Sequence, residues 1–137
     1  MMPKWLLLSF IVMFLIALGS FLGKVALLKD SSMRVYFFEA IGTLTVFIVF
    51  ALINREAIFS NFSINPYGLL MGISWGVGTV VFLYALEIGK VSLIVPLTAL
   101  YPAIAVILAV IFLGETLGPR EIAGIALAII AGMLLAK

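Results

Sequence analysis

Tyr84-Ala85-Leu86-Glu87-Ile88-Gly89-Lys90, then an apolar run from Val91 to Leu113 that contains Pro96 and Pro102, then Gly114-Glu115-Thr116-Leu117, is the stretch whose reading decides the fold. The run is long enough to cross a hydrocarbon core about 30 Å thick. In a water-soluble helix each interior proline costs about 3 kcal/mol and usually ends the helix. In a bilayer the same residue is tolerated, because neighbouring helices and hydroxyl side chains re-satisfy the freed carbonyls. Which of the two environments applies is decided by the rest of the chain.

Composition answers for the membrane. Of 137 residues, 66% are hydrophobic and 10% are charged, with a mean hydropathy of +1.38. Soluble domains have about 45–50% apolar and about 25% charged residues. The length suits a single domain over residues 1–137. The net charge is +2 and the eight basic residues are spread singly, so nothing forms a nucleic-acid footprint. With no Cys and no His, the chain has no disulfide framework, no thiolate chemistry and none of the usual zinc ligands. The commonest general base is therefore absent, and the six carboxylates fall mostly at helix ends. We expect neither an enzyme nor a resident metal or cofactor.

The expected fold class is an all-α integral membrane bundle of five spans, at about 5–28, 33–53, 66–88, 91–113 and 119–136. Lys4 and Trp5 anchor the first span at the interface. Its start resembles a signal peptide, but the apolar run continues past any cleavage site, so we read it as a retained helix. Asp30 to Ser32 offer N-cap oxygens to the second helix. The link from Ala57 to Asn65, with Ile58, Phe59 and Phe62, reads as a segment lying in the interface. Asn65-Pro66 is a helix start, a cap followed by proline at the first position. Pro119 opens the last span, with Glu121 at its positive end.

An odd number of spans puts the termini on opposite faces. One face carries Lys4, Arg55 and Arg120; the other carries Lys29, Arg34, Lys90 and Lys137, with Lys24 if it snorkels. Positive residues favour the cytoplasm, so the count leans to N-out, C-in. The near-balance also fits insertion in both orientations.

Two charges fall inside the apolar spans, Lys24 and Glu39, at similar depth from the same face. Intramembrane ionisable residues point to function by default. They are placed to pair and line a substrate or proton path, whereas the plainer alternative for Lys24 is snorkelling to the headgroups. In the fourth span Pro96 cannot donate to Ser92, nor Pro102 to Thr98. The freed carbonyls beside Ser92, Thr98 and Tyr101 suit a polar cavity, with a packing kink as the alternative. Trp75, Phe82 and Tyr84 are candidates for an aromatic wall, or for ordinary packing. Glu87, Lys90, Glu115, Arg120 and Glu121 read as end caps and surface pairs. Small residues at spacing four, Gly68, Gly72 and Gly76 in the third span and Gly124, Ala128 and Gly132 in the fifth, allow close helix approach. They serve either packing within one chain or, in the fifth span, a homodimer seam.

The run from Tyr84 to Leu97, Pro102, Leu113-Gly114-Glu115-Thr116-Leu117, and then Gly124 and Gly132 closely resemble the EamA domain of the drug/metabolite transporter superfamily. Gly19 to Lys24 resemble that family's first helix, where a lysine follows a glycine. The resemblance implies a five-helix unit, of which most members join two in inverted orientation around a substrate path. This chain has one unit, so the resemblance implies a homodimer or pairing with a related five-helix unit. It implies a half-size secondary transporter, an exporter of small metabolites or drugs, in the plasma (inner) membrane. A non-transporting accessory subunit and a lipid-linked sugar flippase component stay open as alternatives. Glu39 stands where members often carry a basic residue, so no substrate is carried over.

Overall fold

A computed structural model describes residues 3–60 and 62–135. The chain is 85% helical, and no strand occurs among the described residues. Helix α1 is Lys4–Leu27, α2 is Ser32–Ile53, α3 is the short Arg55–Phe59 and α4 is Pro66–Ile88. The expected fourth span is present in three pieces: α5 (Val91–Thr98), α6 (Tyr101–Leu108) and a π-helical turn (Ala109–Leu113). Helix α7 is Pro119–Leu135. Four stretches of the described chain are long and apolar enough to cross a membrane: Lys4–Leu27, Ser32–Ile53, Pro66–Ile88 and Val91–Leu113. Helix α7 has 17 described residues, and the expected end of that span at residue 136, with Lys137 beyond, lies outside them.

Local chemistry explains most of the boundaries. The Asn65 side-chain oxygen accepts from the Gly68 N–H at 3.1 Å, and Pro66 follows at the first helical position, where its missing donor costs nothing. At α7, the Glu121 carboxylate reaches back and accepts from the Gly118 N–H at 2.6 Å, across Pro119, the one half of a capping box that a glycine allows. Gly114 has φ +68°, a left-handed conformation that ends the π-helical turn and that residues with a Cβ resist. The break between α5 and α6 falls at Ala99 and Leu100, with Pro102 in the first turn of α6. Thr98 turns its hydroxyl back onto the carbonyls of Ile94 and Val95, at 2.9 and 3.0 Å. The link after α2 contains the α3 turn, followed by Phe59 stacked on Phe62 at 6.4 Å; Asn61 lies outside the described residues.

One expectation about a boundary is corrected. Asp30 to Ser32 do not cap α2 with their own side chains. Ser31 is the N-cap residue but makes no side-chain cap bond, and the Asp30 carboxylate is held by Arg34 at 2.6 Å. The cap comes from another helix, as described below.

The described chain forms two compact units, Met1–Ile88 and Gly89–Lys137. In the first, α1, α2 and α4 pack on one another. Their buried residues are Ser32, Val35, Leu83 and Leu86. Gly23 lets α4 approach, because a Cβ there would lie 3.6 Å from Leu83 and 3.8 Å from Leu86. Most other large apolar side chains are exposed. A contiguous apolar surface of that extent is untenable in water and ordinary against lipid. In the second unit α5 packs on α7.

Candidate functional site

Three helix ends meet where α1 finishes, α2 begins and α4 finishes. The Glu87 carboxylate, in the last turn of α4, accepts from the Ser32 hydroxyl and from the Ser32 backbone N–H, the latter at 3.4 Å. Ser32 is the first residue of α2, so the carboxylate sits at the positive end of that helix, where a negative charge is favoured. Beside it, the Lys24 Nζ donates to the Leu86 carbonyl at 2.6 Å. That carbonyl is among the last four of α4, which have no intrahelical donor, and a cation there also suits the negative end of the helix. Leu86 is fully buried. The three bonds tie α4 to both α1 and α2.

Lys24 is thus directed to a helix end, and the expected pairing with Glu39 is not formed. Glu39 accepts from the Thr43 hydroxyl one turn along α2, at 3.2 Å. The two groups have different partners: Lys24 bonds an orphan carbonyl of another helix, Glu39 a hydroxyl at i+4.

Glu39 instead lines a cavity of about 560 Å³ bounded by α1, α2 and α4. From α1 come Ile16, Gly19, Ser20 and Gly23; from α2, Val35, Phe38 and Glu39; from α4, Thr79, Phe82 and Leu83, with Asp30 at one end. The volume lies within the range of about 300–1,000 Å³ typical of small-molecule sites. Glu39 is seven residues into α2, about 10 Å along its axis at 1.5 Å per residue. The hydroxyls have committed their protons: Ser20 donates to the Ile16 carbonyl at 2.8 Å and Thr79 to the Trp75 carbonyl at 3.0 Å. Ser20, Thr79, Phe38 and Asp30 were not anticipated as lining residues. A signal exists for α1, since Ile16, Gly19, Ser20, Gly23 and Ala26 repeat at helical spacing and are mostly small. Nothing local marks Thr79.

The other expected positions are distributed as follows. Phe82 lines the cavity, whereas Trp75 is exposed on α4 and Tyr84 is half-exposed. Ser92, Pro96, Thr98 and Pro102 lie in the second unit, the first three in α5 and Pro102 beyond the break, in the first turn of α6. Among the small residues, Gly76 packs near the Tyr36 hydroxyl, and Gly68 faces its own Asn65 cap. A Cβ at Gly72 or Gly124 would meet nothing, and Ala128 is exposed. Gly132 is buried, and a Cβ there would lie 2.4–2.7 Å from the Leu100 side chain. Gly132 is therefore an internal packing position, and Gly124 and Ala128 remain available on the outer surface of α7.

An uncharacterized protein of Methanocaldococcus jannaschii is 30% identical to this chain over 134 residues, covering 98% of this chain and 97% of the relative. No solved structure matches. The EamA-like transporter family matches residues 3–136, nearly the whole chain. Together with the four long apolar helices, this match describes an integral membrane protein. The chain belongs to the EamA-like transporter family.

Proposed function

We propose that this chain is half of a secondary transporter, exporting small metabolites or drugs from the cell as a dimer of five-helix units in the plasma (inner) membrane. The observation that carries the reading is the cavity among α1, α2 and α4 with an ionisable side chain, Glu39, on its wall, in a chain of a transporter family. Helix α7 acts as the fifth span, completing one domain over residues 1–137. A three-helix-walled cavity open on one side needs a second wall, and a second copy in inverted orientation supplies it. The near-balanced basic residues on the two faces support that arrangement.

Reconstitution into liposomes with a panel of metabolites and drugs tests the reading. Uptake or release above protein-free vesicles is expected. Its absence for every compound, with the protein correctly folded, favours an accessory subunit, and movement of a lipid-linked sugar alone favours a flippase component.

The dimer has its own test. Replacing Gly124 and Ala128 together with Leu leaves the internal Gly132 contact untouched. We expect the double variant to keep its thermal midpoint while its dimer dissociates at least ten-fold more readily, read as particle mass in detergent. A dimer of unchanged strength excludes α7 as the seam.

A further inference from the structure

We propose that the cavity among α1, α2 and α4 takes an organic cation, an ammonium group carrying an apolar body. The assignment rests on the transporter reading for its biological role and on the cavity lining for its chemistry. Every polar group on that lining is an acceptor. Glu39 and Asp30 are carboxylates, and Ser20 and Thr79 line the cavity with their hydroxyl protons already given to helix carbonyls. Among the described residues no Lys, Arg, Asn, Gln, Trp or Tyr lines it. An anion or a carboxylate would find no donor there, whereas an ammonium finds several acceptors. The two carboxylates are not equivalent. Asp30 is neutralised by the Arg34 guanidinium at 2.6 Å, while among the described residues Glu39 has only the neutral Thr43 hydroxyl, at 3.2 Å. The charge left for a ligand is thus that of Glu39. The rest of the wall is apolar, and it includes Phe38 and Phe82, side chains of a kind that attracts a cation as well as an apolar body.

The test uses three probes of one skeleton and different charge: 2-phenylethylammonium, 2-phenylethanol and phenylacetate. Binding to the full chain in lipid nanodiscs is measured by equilibrium dialysis at neutral pH, against protein-free nanodiscs. Saturable binding of the ammonium is expected, at least ten-fold tighter than that of the alcohol, with none for phenylacetate. Glu39→Gln should weaken the ammonium at least ten-fold and leave the alcohol unchanged, and Glu39→Asp should recover part of the loss. An unaltered thermal midpoint for Glu39→Gln shows that folding is intact. Equal binding of the ammonium and the alcohol, or full ammonium binding by Glu39→Gln, overturns the proposal. The two readings fail separately. Liposomes that move neutral or anionic compounds without preference for cations overturn the cation assignment and leave the transporter standing. Nanodiscs that bind the ammonium through Glu39, in a protein that moves nothing, support the assignment and remove the transporter.

Discussion

Replacing Glu87 with alanine is expected to destabilise the first unit by about 1–2 kcal/mol, the usual cost of losing a charged partner at a helix N-terminus. The loss has two parts. The first turn of α2 gives up the carboxylate that accepts from the Ser32 N–H. The Ser32 hydroxyl, in a residue only 3% exposed, is left without its acceptor. Glu87→Gln keeps an acceptor oxygen without the charge, so about half of the loss should remain. Ser32→Ala removes the hydroxyl that would be orphaned, so the double variant should be more stable than the two single losses added together. Unfolding by denaturant in detergent micelles reads all three. Strict additivity would show that the bond between α4 and α2 contributes nothing.

Gly132→Leu should cost about 1–3 kcal/mol, the usual range for overpacking a filled position. The first added carbon already meets Leu100 at 2.4–2.7 Å. Because the obstructing atoms all belong to a side chain and two of the three are its terminal methyls, Gly132→Ala is milder. The roughly 1 kcal/mol that alanine gains over glycine in a helix offsets part of it. Shortening the obstacle separates sterics from propensity: Leu100→Ala should relieve most of the Gly132→Leu penalty, measured as thermal midpoint. A cycle without recovery would mean that Gly132 is needed for something other than room.

What the sequence made legible is what the chain decides locally. Asn65 with Pro66 and Glu121 with Pro119 announce their helices because each cap and its acceptor lie within one turn. Span positions follow from long apolar runs. The π-helical turn at Ala109–Leu113 was not visible, since its residues are ordinary helix formers and only the left-handed Gly114 hints at an irregular end. The cap of α2 was assigned to its own serines and aspartate, whereas the acceptor lies 55 positions away at Glu87. The Lys24–Leu86 bond spans 62 positions, and its acceptor is a backbone carbonyl, which no residue type marks. Of the cavity, the ionisable group at Glu39 was legible because a carboxylate inside an apolar run is rare. Its neighbours Ser20 and Thr79 were not, because hydroxyls in membrane helices most often bond their own backbone, as both do here.

The tie among α1, α2 and α4 also bears on biosynthesis. Its four members, Lys24, Ser32, Leu86 and Glu87, all precede Gly89, and 49 residues of this chain follow Ile88. At roughly 5–20 residues per second, translation needs about 2–10 s to add them. Hairpins and helix pairs close far faster than that. The first three long helices can therefore satisfy their exposed ends while those 49 residues are still being added.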